Sequence, residues 1–199
     1  MENIELQTGI TLCFVLLLAV FFLYKWVRNP FKSVLKKASS GDAKAQYEMG
    51  GFYYTGKYTR QDYAKAFDWI ELSAKNGFAL AQNALAALYN AGHGCEKDMQ
   101  KVFEWYQASA GQNNFEGRVN LAICYLQGIG TKKDETKCFS IMKSAADEGS
   151  PLAQFFTGNF YVQGVGTQAN ETAAHKYYLL GAKQGEPRCK KALKNLVIK

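Results

Sequence analysis

The sequence predicts an all-α protein: one transmembrane helix leading into an α-solenoid of antiparallel helix pairs, with a half-repeat cap at each end. Three observations carry this. Residues 42–77, 78–113, 114–149 and 150–185 align as four 36-residue copies without an insertion or deletion. Residues 6–24 form a 19-residue run without a charge. The register of the copies continues outward on both sides, into residues 29–41 and 186–199.

Residues 1–28 comprise an N-terminal tail, the expected transmembrane helix and a basic flank. As a helix, residues 6–24 rise about 28 Å, close to the ~30 Å hydrocarbon core of a bilayer. Twelve of them are Leu, Ile, Val or Phe, which together favour insertion by on the order of 4–7 kcal/mol. Tyr24 and Trp26 stand where an interfacial aromatic belt belongs. A cleavable leader starts basic and ends in small residues. This start carries Glu2 and Glu5, and the run ends in Tyr24-Lys25-Trp26, so an uncleaved anchor is expected. Five bases follow it: Lys25, Arg28, Lys32, Lys36 and Lys37. The positive-inside rule then predicts a single-pass protein of a bacterial inner membrane, N-terminus outside and repeats in the cytoplasm; the alternative places the repeats in the periplasm.

Residues 29–41 are expected to be a capping helix. Asn29-Pro30 supplies an N-cap and a proline at the first helical position. Phe31, Val34, Ala38 and Gly41 fall under Phe67, Ile70, Ala74 and Gly77 of the first full copy, so this is a lone second helix. Each copy opens with a first helix across about 43–55, whose apolar and small residues recur at offsets of three and four. Gly56, Gly92, Gly128 and Gly164 follow it, and glycine takes the left-handed C′ conformation at no steric cost. Asp62, Asp98, Asp134 and Asn170 are acceptors placed to cap the second helix. Gly77, Asn113, Gly149 and Gly185 end it, asparagine being the next best left-handed residue. The small class Gly50, Ala86, Ala122 and Gly158 lets the helices of a pair approach, with the Ala66, Val102, Cys138 and Ala174 class as the expected partner. The Tyr53 and Trp69 classes fill the space around that contact. Pro187, Cys189 and Leu193 repeat Ala79, Ala81 and Leu85, so 186–199 should hold a lone first helix over 187–197. Polar terminal caps of this kind are what a solenoid needs.

These positions spell A-x-A-x-x-x-L-G-x-x-Y-x-x-G-x-G-x-x-x-D-x-x-K-A-x-x-W-x-x-x-A-A-x-x-G. The pattern resembles the Sel-one-like repeat (SLR) family, relatives of the tetratricopeptide repeats. Its clearest local matches are Ala79-Leu-Ala81, Asp62-Tyr-Ala-Lys-Ala66, Gly128-Ile-Gly130 and Ala145-Ala-Asp-Glu-Gly149. The resemblance covers residues 42–185. Three positions depart from it: Tyr58 stands for the second loop glycine, Ile141 for the aromatic, and His175 for the Phe67 class. The resemblance implies a right-handed solenoid whose first helices line a concave face and contact peptides. Carried onto this chain, the non-packing positions of that face are Lys44, Tyr47, Gly51 and Tyr54, then Leu80, Asn83, Ala87 and Asn90. The third copy gives Glu116, Val119, Ile123 and Leu126, the fourth Leu152, Phe155, Asn159 and Val162. Lys44, Tyr47, Tyr54, Asn83, Asn90, Val119, Phe155 and Asn159 are the expected partner-binding residues, asparagines for a peptide backbone and aromatics as anchors. The alternative is that the aliphatic and aromatic members simply pack between helices.

The net charge of +7 does not mark a nucleic-acid binder. Residues 42–185 carry 14 Lys/Arg and 14 Asp/Glu, and the excess sits at the two ends. Five cysteines without a CxxC spacing imply neither a disulfide framework nor zinc. His93 and Cys95 lack further ligands, and Gly128-Ile-Gly130 and Gly164-Val-Gly166 lack the strand that a phosphate loop follows. Asn170-Glu-Thr172 is a glycosylation sequon, but it falls on an expected N-cap. Ser33–Lys36 and Ser140–Lys143 match S-x-x-K without the companion motifs of a penicillin-recognising enzyme. No catalytic constellation, cofactor, metal site or small-molecule substrate is therefore expected. The sequence points to a membrane-anchored scaffold that binds a protein or peptide on its concave face. The alternative is a bacterial immunity protein that neutralises a toxic secreted effector.

Overall fold

The computed structural model of the chain describes residues 29–196, together with Val15, Leu17 and Leu18. The expected transmembrane helix, residues 6–24, otherwise lies outside the described residues. Among the described residues, no helix is long and apolar enough to cross a membrane. Residues 29–196 form ten helices and no strand: α1 (Phe31–Ser39), α2 (Ala43–Thr55), α3 (Tyr63–Lys75), α4 (Ala79–Ala91), α5 (Met99–Gly111), α6 (Phe115–Gln127), α7 (Glu135–Asp147), α8 (Pro151–Gln163), α9 (Glu171–Lys183) and α10 (Pro187–Asn195). Each packs on its neighbours in the chain, and α4 also touches α6, as α8 touches α10. That is a solenoid of four helix pairs between a lone second helix, α1, and a lone first helix, α10. Helix α1 starts at Phe31 with Pro30 in the N-cap place, one residue later than expected, and the Asn29 amide oxygen accepts from the Phe31 N–H at 2.9 Å. The C-terminal helix stops at Asn195, two residues before the expected end.

Caps and turns repeat with the copies. Asp62, Asp98, Asp134 and Asn170 each accept a hydrogen bond from the backbone N–H three residues on, at 2.9–3.1 Å. The N–H of Lys65 holds the Asp62 carboxyl below its ordinary range. Gly56, Gly92, Gly128 and Gly164 close the first helices at φ of 70–76°. The second loop glycines have a different task. Gly94, Gly130 and Gly166 also have positive φ, and a Cβ on any of them would collide with the carbonyl oxygen of Tyr63, Met99 or Glu135. Those are the first residues of α3, α5 and α7, so each turn lies backbone-to-backbone on the preceding copy. In the first copy Tyr58 holds the same left-handed conformation, at φ 69°. Its counterpart there would be residue 27, which precedes α1.

A polar ladder, not expected from the sequence, joins the copies. Gln46, Gln82 and Gln154 are buried, and each donates to the carbonyl eight residues back, of Ala38, Ala74 or Ala146. Each also accepts from the amide thirty residues on, of Asn76, Gln112 or Gln184, at 2.7–2.9 Å. In the third copy both members change together. Arg118 takes the glutamine position and Glu148 its partner's, and they form an ion pair at 2.6 Å. The contact survives as a charge pair instead of an amide pair.

One expected packing relation is corrected. The Gly50 class does clear space for the facing helix, but chiefly for the residue four places beyond Ala66. A Cβ on Gly50 would collide with Ile70 Cγ1, and one on Gly158 with the ring of Tyr178. The Ala66 class is buried beside this contact, and the Ala66 carbonyl lies 3.2 Å from the same point. Neighbouring glycines should therefore respond oppositely. A Cβ on Gly51 meets nothing within 4 Å, so Gly51→Ala should stabilise by about 0.5–1 kcal/mol through helix propensity. Gly50→Ala should destabilise by about 1–2 kcal/mol, overpacking outweighing that gain. Urea unfolding of the two variants gives both signs.

Candidate functional site

Small residues on facing first helices leave a groove on the side they share. Gly51 of α2 and Ala84 and Ala87 of α4 lack the bulk to fill the space between them. Tyr47, Tyr54 and Thr55 of α2, Ile70 of α3 and Leu88 of α4 complete a mainly apolar cavity of about 330 Å³. That is the size of a small ligand pocket, or of room for one or two peptide side chains. Its tyrosines are held in place. The Tyr47 ring meets Phe78 edge-on at 5.5 Å. Tyr54 lies 5.2 Å from Tyr63 and 5.8 Å from His93, with its hydroxyl 3.2 Å from His93 Nδ1. His93 stacks on Tyr63 at 4.6 Å and 12°. His93 is thus half-buried and in contact with Tyr54, which lines the groove. It was missed because Tyr54 and His93 are 39 residues apart.

The expected partner-binding residues fall into two groups. Tyr47 and Tyr54 line the groove, while Lys44 and Asn90 are exposed on the same helices. The others are engaged within the solenoid. Asn83 accepts from Asn120 at 2.9 Å and donates to Glu116 at 3.4 Å, bridging two copies. Asn159 accepts from the Tyr178 hydroxyl at 2.6 Å. Val119 packs into the cluster around Met142 and Phe160. Phe155 lies 5.5 Å from Phe156 and 6.3 Å from Tyr178, under the Arg188 guanidinium of the capping helix. The exposed apolar members of this face are Leu80, Ile123 and Val162.

The remaining reactive side chains serve local structure. Burial pushes the thiols of Cys124, Cys138 and Cys189 up to about 11, which leaves little thiolate at neutral pH. Ser33 and Ser140 donate to the carbonyls of Pro30 and Lys137. Lys143 is paired with Asp147 at 2.6 Å, and that bond raises its pKa, so it holds its proton. Among the described residues no group of three or more His, Cys, Asp or Glu is placed to hold a metal. A second cavity of about 450 Å³ lies between the second and third copies, lined by Gln107, Asn113, Arg118, Ser140, Ser144 and Glu148. Arg118 there is already committed to Glu148.

The sequence pattern of the Sel1 repeat matches residues 43–78, 79–114, 116–150 and 151–186. No curated protein matches the chain. Among solved structures, a protective antigen present in uropathogenic Escherichia coli strains and displaying an SLR fold superposes with a TM-score of 0.74. It is 31% identical over 78% of this chain and 33% of its own, so this chain spans about a third of that protein's length. A Sel1 repeat protein from Oxalobacter formigenes superposes with a TM-score of 0.73 at 27% identity, over 83% of this chain and 68% of its own.

Proposed function

The chain belongs to the Sel1 repeat family, whose repeats generally mediate protein–protein interactions, and we propose that it is a membrane-tethered, non-catalytic scaffold. Its partner, a protein or peptide, binds along the face of the first helices, with one anchor side chain in the groove between α2 and α4. The observation that carries this is the groove itself: an apolar floor and two fixed tyrosines, Tyr47 against Phe78 and Tyr54 with its polar hydroxyl held at His93. Central aromatic pockets with polar rims are where interfaces concentrate their binding energy.

The uncharged run 6–24 supports the tether. Val15, Leu17 and Leu18, the described members of that run, are helical and 61%, 66% and 44% exposed. A helix that turns leucine and valine outward suits a lipid environment. The basic residues from Lys25 to Lys37 then set the repeats on the cytoplasmic side.

Site-specific photocross-linking in membranes tests the groove. A photoreactive side chain at Gly51 should give a discrete cross-linked species, and Ala87→Glu should reduce its yield at least tenfold. The same side chain at Leu72, exposed on α3, should give none. Equal yields from both positions, or insensitivity to Ala87→Glu, would remove the groove as the site.

A further inference from the structure

We propose that the first turn of the solenoid, Lys57, Tyr58 and Arg60 backed by Phe52 and Phe31, docks on the surface of an anionic bilayer. Three observations support it. The first is the departure at Tyr58. In the other copies this position is a glycine pressed on the preceding copy, whereas Tyr58 is 43% exposed. Its ring meets Phe52 edge-on at 5.1 Å, and Phe52 stacks on Phe31 at 6.3 Å, so an aromatic row reaches the end of the stack.

The second is charge. Lys57 Nζ lies 5.1 Å from the Tyr58 ring centre, Arg60 is exposed, and residues 49–61 contain no Asp or Glu. The corresponding turn of the second copy carries Glu96, and that of the fourth, 164–169, has no charge at all. That of the third has Lys132 and Lys133 but no aromatic residue beside them, so the first turn alone joins cations to an exposed ring. Tyrosine beside lysine and arginine is the composition of a bilayer interface, the ring at headgroup level and the cations on lipid phosphate.

The third is place. Phe31 follows Tyr24, the last residue of the uncharged run, by seven positions, at most about 25 Å of extended chain. Lys25 and Arg28 lie between them. The end of the stack that carries the aromatic row is therefore the end nearest the bilayer. This inference rests on the tether proposed above and adds to it a second contact. With two contacts the solenoid is held in one orientation instead of swinging on a single point.

The test uses the full chain reconstituted in vesicles of phosphatidylcholine alone or with about one third phosphatidylglycerol. A water-soluble acylating reagent footprints the lysines, read by peptide mass spectrometry. Lys97, in the matching turn of the second copy, is the internal reference. Lys57 reactivity should fall at least fivefold relative to Lys97 when phosphatidylglycerol is present. It should recover in about 0.5 M salt, where the Debye length drops to roughly 4 Å. Tyr58→Gly, which installs the residue the other copies use, should lose at least half of that protection. Equal Lys57 and Lys97 reactivity in the phosphatidylglycerol vesicles overturns the docking, and flotation with phosphatidylcholine alone then leaves the tether standing. Flotation only with phosphatidylglycerol, with Lys57 protected, removes the tether and keeps the docking. Flotation with neither lipid overturns both.

Discussion

Gly130→Ala is expected to destabilise the chain by about 2–5 kcal/mol, whereas Gly149→Ala should cost only about 1–2. Both residues have positive φ, +61° and +99°, so both lose the left-handed allowance of glycine, worth about 1–2 kcal/mol. They differ in what surrounds the missing Cβ. Nothing lies within 4 Å of it at Gly149, but at Gly130 it collides with the backbone oxygen of Met99 and lies 2.9 Å from Phe103 Cβ. A carbonyl at the start of α5 cannot rotate away like a side-chain tip, so the overlap adds roughly 1–3 kcal/mol. The damage falls on the seam between the second and third copies. In a stack whose stability is a sum of repeats and neighbour interfaces, weakening the middle seam should also separate unfolding into two steps. Gly149→Asn should be nearly silent, because Asn113 already occupies the equivalent place at φ 58°. Urea unfolding followed by circular dichroism checks the series. Equal costs for Gly130→Ala and Gly149→Ala would show that the turn does not bear on the preceding copy.

The local rules were legible because each sits within one or two turns of a helix. A capping carboxylate at Asp98 and a left-handed glycine at Gly128 act on residues three or four places away, so spacing alone reveals them. The seams were not legible in the same way. Arg118 in the place of glutamine looks like drift until Glu148, thirty residues on, is seen to have changed with it. Tyr58 looks like a local fault until the glycines it replaces are seen against the previous copy. The functional face was half legible. Helical period picks out Tyr47, Tyr54, Asn83 and Phe155 as pointing one way, but it cannot say which of them meets another element first. Phe155 and Asn159 meet Tyr178, and Asn83 meets Asn120, because these lie in the adjoining pair or across the hairpin. Tyr47 and Tyr54 border open space because their neighbours across the gap, Ala84 and Ala87, are short.

Leu85→Ala should cost about 3–5 kcal/mol, while Thr157→Val, at the equivalent position of the fourth copy, should stabilise by about 1–2. Met49, Leu85, Leu121 and Thr157 share one place in the repeat, and three of the four are wholly buried. Leu85 belongs to the largest apolar cluster among the described residues, with Ile70, Leu88, Tyr89, Val102 and Cys124 drawn from three copies. Truncating it removes buried methyl groups and leaves a cavity that rigid helix pairs cannot close. Thr157 puts a hydroxyl into the same environment, and its Oγ1 is buried with no hydrogen-bond partner among the described residues. Replacing that hydroxyl by a methyl group of nearly the same shape removes the desolvation cost and keeps the packing. The two results together would rank the copies: the second is the strongest link, and the fourth carries a built-in weakness. Fraying is then expected from the C-terminal end, where α10 closes the stack, with amide exchange in α8–α10 faster than in α4–α6. Thr157→Val should narrow that difference. If Thr157→Val is instead destabilising, the hydroxyl has a partner in solution, and the fourth copy owes its place in the ranking to something else.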